Sequence, residues 1–337
     1  MAHSYKIAIP MAGLGTRMRP HTWSKPKPLI HLAGRTVLDY VLEQFRSLPR
    51  YESAEFALIL GPNQREQVEP YVQRRHADKK AHYYLQESMQ GQSPALYLAR
   101  DLLKGPMLMA FSDTLIETDL SLLDVEALDG VAWVKRVPDP RRFGVAEVDD
   151  AGLISRLIEK PQSMDNNLVI VGFYYFRSGE MLMEAIEEQM RRNVSLKGEY
   201  FLADAVNIMI ENGAHIRTEG VDVWLDAGKP DALLETNRYL LANGYDNSTA
   251  AAKRKNATII PPVFIHPDAE LAGCVIGPHV SIDANAQINN TIISNSIIES
   301  GAQISNLILE DSLIGCQAVL NGHAHAMNVG DDSWCEI

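Results

Sequence analysis

Short apolar runs alternate with amphipathic segments through the first part of the chain. Residues 6–10, 56–60 and 107–111 are apolar at every interior position. That is the pattern of strands in a parallel sheet with both faces covered. Residues 83–86 read as a further strand. Between these runs, Thr36 and Asp39 form a capping box ahead of Val37, Leu38, Val41, Leu42 and Phe45, which recur at helical spacing. A polar helix starts near Gln64, and Ser93-Pro94 opens another, with Ser as N-cap and Pro in the first turn. The alternation predicts an α/β unit whose sheet is mainly parallel and flanked by helices. In such sheets ligands sit beyond the carboxyl ends of the strands. From Gly130 the pattern turns strand-rich, at 131–137, 143–148, 153–160 and 168–176. A helix follows at 178–192, then a strand closing on Asp226, then a helix from Lys229-Pro230 to about Ala242 that Gly244 stops.

Residues 246–256 are polar and lack apolar periodicity, as a linker would. Beyond them large aliphatics recur at Ile265, Leu271, Ile276, Ile282, Ile288, Ile293, Ile298, Ile304, Leu309, Ile314 and Leu320, always five or six residues apart. Glycine and alanine fall between, as at Gly273, Gly277, Ala286 and Ala302. This is a hexapeptide repeat, and it predicts a parallel β-helix in which each face of a coil turns one aliphatic inward. The organisation expected is therefore a first domain over 1–245, a linker over 246–256, the β-helix over 257–322 and a tail over 323–337.

The 337 residues are 46% apolar, enough for a sizeable core, and carry a net charge of −12. That balance argues against a general nucleic-acid binder. No segment looks like a signal peptide or a membrane span. Cys274, Cys316 and Cys335 show no C-x-x-C pairing, so neither a disulfide framework nor a zinc site is indicated. A reducing, cytoplasmic setting is expected.

Against the acidic background, residues 17–27 stand out: Arg17, Arg19, Lys25 and Lys27 occur with no acid among them. They follow Gly13-Leu14-Gly15-Thr16, directly after the first strand. Such a glycine turn brings backbone N–H groups close to an anion, and with fixed cations beside it suits a polyphosphate. Met18 stands where a dinucleotide fingerprint needs its third glycine, and the Walker spacing is absent. Pro20, Pro26 and Pro28 forbid a long helix after the loop.

What remains, Gly13-Leu-Gly15-Thr16-Arg17-Met18-Arg19-Pro20 followed by Pro26-Lys27-Pro28-Leu29, resembles the signature of the sugar-1-phosphate nucleotidylyltransferases. Further motifs follow in that family's order: Ser112-Asp113-Thr114, Phe143-Gly144-Val145, Glu159-Lys160-Pro161, Gly172 before Phe173-Tyr174, Gly198-Glu199, and Trp224-Leu225-Asp226-Ala227-Gly228. Ser112 stands where the family has glycine, and Gly91-Gln92-Ser93 departs from its usual Gly-[TL]-[AG].

The resemblance implies a Rossmann-like fold and a C-terminal β-helix of left-handed type. It implies Mg2+-dependent joining of a nucleoside triphosphate, dTTP or UTP, to a hexose-1-phosphate such as glucose-1-phosphate, with release of pyrophosphate. Ala12, Gly13, Gly15, Thr16 and Arg17 would hold the nucleotide's phosphates, with Gln86 and Gly91 reading the base. Gly144, Glu159, Lys160, Gly172 and Glu199 would hold the sugar phosphate. Asp113 and Asp226 would share the metal, and Arg17 and Lys27 would act with them in catalysis. Asp204, the last acid of its motif, reads equally as a helix-surface residue. The β-helix would join subunits into a homo-oligomer. Other readings are a second, acyl-transferring activity in the β-helix, with His266, His279, His323 and His325 as candidate bases, and a non-catalytic regulatory subunit.

Overall fold

The computed structural model describes residues 4–323 together with 329, 331, 332 and 334. Backbone contacts divide the chain into two compact units. One comprises residues 4–30 and 35–232; the other comprises 31–34 and the chain from 233.

The first unit is built on a nine-stranded sheet. In chain order its strands are β1 (Lys6–Pro10), β2 (Glu55–Leu60), β3 (Lys80–Leu85), β4 (Met107–Ala110), β5 (Gly130–Arg136), β6 (Gly144–Val148), β7 (Ile154–Glu159), β8 (Leu168–Phe176) and β9 (Ile216–Gly220). They lie in the order β7-β6-β8-β4-β1-β2-β3, with β5 pairing β8 and β9. The pairs β1–β2, β1–β4, β2–β3 and β5–β9 are parallel, while β8 runs antiparallel to β4, β5 and β6. Ile7, Ala8 and Ile9 of β1 are all 0% exposed, as a central strand covered on both faces must be. Truncating Ile7 or Ile9 to Ala would cost about 2–5 kcal/mol.

Helix α1 (Val37–Glu43) carries the expected capping box: Thr36 N–H donates to Asp39 Oδ2 at 2.9 Å, and Asp39 N–H to Thr36 Oγ1 at 3.2 Å. The helix opened by 92–94 differs from expectation. It is α3 (Gln92–Tyr97), after α2 (Arg65–Arg75), with Gly91 at its N-cap. Ser93 lies inside, and its buried hydroxyl caps nothing. Its N–H is instead taken by the Tyr200 carbonyl at 3.2 Å, which draws the helix start forward. Helices α4 (Gly179–Arg191) and α5 (Leu202–Glu211) bury their apolar faces in the same core as β4 and β8. No helix among the described residues is long and apolar enough to cross a membrane.

Helix α6 (Pro230–Leu240) runs into the second unit. There, three four-stranded parallel sheets form the faces of a left-handed β-helix. Equivalent aliphatics stack coil on coil: Ile265 on Ile282 on Ile298 on Ile314, and Leu271 on Ile288 on Ile304 on Leu320. Cys274 is 3% exposed and belongs to this core. The corners use left-handed residues, among them Asn290 and Asn306 (φ 48° and 59°), whose amides continue in a ladder to Asn321. Asparagine tolerates that conformation better than other residues with a Cβ.

The stretch read as a linker, 246–256, carries α7 (Ser248–Ala251). Its side chains finish the first coil: Ser248 Oγ accepts from Val263 N–H and Asn247 Oδ1 from Ile265 N–H, both at 2.9 Å. His266 and His279 lie at coil corners, His279 in the left-handed region at φ 61°. His325 and most of the 323–337 tail lie outside the described residues.

Candidate active site

A cleft of about 580 Å³ opens in the first unit. Its lining comes from the turn after β1, the ends of β3, β4 and β7, the start of α3, the loop before α5 and the strand Trp224–Asp226. Fourteen of the residues singled out by motif line it: Ala12, Gly13, Gly15, Thr16, Arg17, Lys27, Gln86, Gly91, Asp113, Gly144, Glu159, Lys160, Glu199 and Asp226. Arg19, Lys25 and Asp204 do not. Neither does Gly172, whose role is different: at φ +83°, a Cβ there would fall 2.1 Å from the Phe111 ring. The glycine makes room for Phe111, and it is Phe111 that lines the cleft.

The glycine turn is held from two sides. Gly15 is left-handed at φ +60°, and its carbonyl accepts from Thr22 Oγ1 at 2.8 Å. The Gln64 amide joins the turn to the end of β2, accepting from Gly61 N–H at 2.8 Å and donating to the Gly13 carbonyl at 3.3 Å. Met18, at the third-glycine position of a dinucleotide loop, is fully buried and anchors the short 3-10 turn Thr16–Met18.

Opposite the turn, Thr114–Ile116 pairs antiparallel with Trp224–Asp226, and Ala227 N–H donates to the Asp113 carbonyl at 2.9 Å. This pairing brings together two acids far apart in sequence. Lys27 Nζ forms an ion pair with Asp113 Oδ2. Gly228 N–H donates to Asp226 Oδ1 at 2.6 Å. A Cβ built on Gly228 would fall 2.7 Å from Asp226 Oδ1, 3.0 Å from Asp113 Oδ2 and 3.6 Å from Arg17 Nη2. Both carboxylates and the guanidinium thus converge on space that the missing side chain leaves free.

The electrostatics of the pair are unequal. Burial works to raise the Asp113 pKa, but the charges of Lys27 and Arg17 outweigh it and hold the carboxyl below its ordinary range. Asp226 is pushed up, first by burial and then by the negative charge of Asp113. A cation between the two would relieve that repulsion. Two carboxylate oxygens suit a hard divalent ion that takes its other ligands from phosphates and water. The donor set and the Gly228 cradle fit a hard divalent cation.

At the other end of the cleft, Glu159 is pushed up by burial and by the charges of Asp204 and Glu199, with Lys160 opposing. A Cβ on Gly144 would lie 3.1 Å from Glu159 Oε2, so the glycine leaves that carboxylate open. Lys160, left-handed at φ 48°, sets its ammonium 4.3 Å from the Phe201 ring centre and 3.7 Å from Glu159 Oε1. Phe143 packs edge-on against Trp224 at 5.0 Å.

The segment reading Gln90-Gly91-Gln92-Ser93 is zipped to Tyr200: Tyr200 N–H donates to the Gln90 carbonyl at 2.8 Å, and Gln92 N–H to the Tyr200 carbonyl at 3.0 Å. Gly91, at φ +108°, would place a Cβ 2.5 Å from the Tyr200 oxygen, so the approach requires glycine. Sequence reasoning missed Gly228, Gln92, Arg142, Phe111 and Trp224 as lining residues. Gly228 and Trp224 lay within a motif read for its acid, and Arg142 lay beside Phe143-Gly144.

Three comparisons bear on this site. The family model described as nucleotidyl transferase matches residues 8–243. A low-salt glycan biosynthesis nucleotidyltransferase from Haloferax volcanii is 29% identical over 320 residues, 85% of each chain. A glucose-1-phosphate thymidylyltransferase from Streptomyces griseus is 27% identical over 316 residues, 87% of this chain and 86% of its own. The bifunctional protein GlmU of Methanocaldococcus jannaschii is 31% identical over 232 residues, 68% of this chain but 53% of its own. Among solved structures, a UDP-glucose pyrophosphorylase complexed with UDP-glucose matches 72% of this chain and all of its own, at TM-score 0.61 and 19% identity, a likeness of fold.

Proposed function

The chain belongs to the nucleotidyl transferase family, and we propose that it joins dTTP or UTP to a hexose-1-phosphate, glucose-1-phosphate first among candidates, releasing pyrophosphate. The observation that carries this reading is the convergence of Asp113, Asp226 and Arg17 on the space beside Gly228. A phosphate oxygen of the sugar attacks the α-phosphorus, and the bond to the β-phosphate oxygen breaks. The attacking group is already ionised at neutral pH, so no strong base is needed; catalysis is positioning and charge stabilisation. Backbone N–H groups of the Ala12–Thr16 turn hold the triphosphate. Arg17 and Lys27 stabilise the departing pyrophosphate, and Lys160 neutralises the sugar phosphate. Glu159 and Glu199 accept from sugar hydroxyls across the bare backbone of Gly144, and Gly172 supports this half through Phe111. Asp113 and Asp226 would hold Mg2+, which when bound draws charge from the phosphate oxygens and aligns the attacking group.

Gln86 supports an imide base. Its Nε2 donates to the Gly91 carbonyl at 3.0 Å, which leaves its Oε1 as the acceptor. Uracil and thymine offer N3–H to such an oxygen, as guanine offers N1–H, whereas the ring nitrogens N3 of cytosine and N1 of adenine offer a lone pair. We further propose that the functional domain extends to 245, that the β-helix joins copies of the chain, and that the enzyme works in the cytoplasm. The test is pyrophosphate release across a matrix of nucleoside triphosphates and sugar-1-phosphates. Turnover with UTP or dTTP and a hexose-1-phosphate is expected; preference for CTP, ATP or GTP would overturn the base reading.

A further inference from the structure

Gln92 is the first residue of α3 and lines the cleft between Gly91 and the loop carrying Glu199. Its side-chain oxygen Oε1 accepts from the backbone N–H of Leu202, the first residue of α5, at 3.1 Å. Because that partner can only donate, the bond fixes which end of the amide is which. The oxygen is committed to α5, and the NH2 group is the end left over. It makes no hydrogen bond among the described residues. The backbone of Gln92 is fixed as well, through its own N–H to the Tyr200 carbonyl at 3.0 Å. The amide therefore stands at the junction of two helix starts with few rotamers open to it. Gln86, on the other side of Gly91, is fixed in the opposite sense: one N–H of its NH2 is committed to the Gly91 carbonyl, which turns its oxygen to the other side.

The neighbouring half of the cleft is rich in acceptors. Glu159 and Glu199 are carboxylates, and Lys160 is the charged group beside them. A sugar hydroxyl is both donor and acceptor. In a site of carboxylates it can give its proton, but its lone pairs need a donor, and a neutral NH2 supplies one. We propose that Gln92 Nε2 donates to a hydroxyl oxygen of the bound hexose-1-phosphate, and that this bond helps set which hexose is taken. The inference rests on the sugar-phosphate reading above.

The test pairs variants with deoxy substrates. Gln92→Glu keeps an oxygen for Leu202 N–H but removes the donor; Gln92→Leu removes both. Each is assayed by pyrophosphate release with glucose-1-phosphate and its 2-, 3-, 4- and 6-deoxy analogues, and its melting temperature is recorded. Wild type should lose at least about tenfold in kcat/KM with one of the deoxy sugars, as expected for a site built to bond a hydroxyl. Both variants should show a similar loss with glucose-1-phosphate, through KM for the sugar, and no further loss with that same deoxy sugar. KM for the nucleotide should stay unchanged. The proposal is overturned if both variants keep the wild-type KM for glucose-1-phosphate within about threefold. It is also overturned if they lose equally with every deoxy analogue, or if the nucleotide KM moves instead. Absence of pyrophosphate release by wild type with every hexose-1-phosphate would overturn the underlying reading, and this one with it.

Discussion

Replacing Gly228 by Ala adds one methyl group where two acids and an arginine converge. The backbone there is not left-handed, so the substitution carries no conformational strain of its own. The new carbon would stand 2.7 Å from Asp226 Oδ1 and 3.0 Å from Asp113 Oδ2. Ordinary nonbonded contact lies nearer ~3.5 Å, so each oxygen must retreat by roughly half an ångström or more. Mg2+ demands near-octahedral bonds of about 2.0–2.1 Å and tolerates such movement poorly. A misplacement of about 1 Å can cost a hundredfold in rate, or about 2.7 kcal/mol of barrier. The expected result is a loss of tenfold to about a hundredfold in kcat, with a higher Mg2+ requirement and a melting temperature close to wild type. Pyrophosphate release titrated with Mg2+ gives the rate, and binding of Mn2+ followed by electron paramagnetic resonance gives the affinity. Wild-type kcat and Mn2+ affinity in a folded Gly228→Ala protein would refute the cradle.

Removing charge from the pair directly should cost more: Asp113→Asn and Asp226→Asn are each expected to slow pyrophosphate release roughly a thousandfold, and near-normal turnover in both would count against the metal assignment. Lys27→Ala and Arg17→Ala should lower activity far more than melting temperature, since both residues lie in short 3-10 turns and neither belongs to the buried core; steady-state rates beside melting curves decide this. Because Asp226 is raised by burial and by Asp113, divalent-ion affinity should weaken as pH falls, and at a pH above that of an ordinary aspartate. Isothermal titration with Mn2+ at two pH values checks the direction. Asp39 is opposed by burial, but bonds from His76 at 2.7 Å and Tyr71 at 2.7 Å lower it to about 2. A depressed carboxyl stabilises the fold above its unfolded pKa and loses that contribution as pH falls toward 2. Asp39→Asn should therefore remove about 2 kcal/mol at neutral pH and flatten the acid side of a pH–denaturation profile. Sedimentation of the full chain should give more than a monomer.

The sheet and the β-helix could be read from periodicity because their signals are local. Ile7 to Ile9 are apolar on both faces, and the aliphatics from Ile265 to Leu320 repeat with the coil itself. The start of helix α3 is not legible in the local sequence, because its N-terminus is set by Tyr200, more than a hundred residues away. The acids Asp113 and Asp226 were legible as strand-end carboxylates, since chemistry in such sheets gathers at those ends. Gly228 was not legible as a cradle: what it does depends on an approach between two segments that only their pairing creates. The same holds for Gln92, whose donor end is defined by the N–H of Leu202. The packing around Gly172 is not legible for a related reason, because the group that needs its space is the ring of Phe111.

The central claim is attack at the α-phosphorus by a sugar phosphate. It is tested most directly by incubating the protein with glucose-1-phosphate, Mg2+ and UTP or dTTP labelled at either the α- or the γ-phosphate. The account predicts that α label moves into the nucleotide sugar while γ label appears only in pyrophosphate. Label from the γ-position in a sugar product, or no transfer of α label to any hexose-1-phosphate, would contradict it.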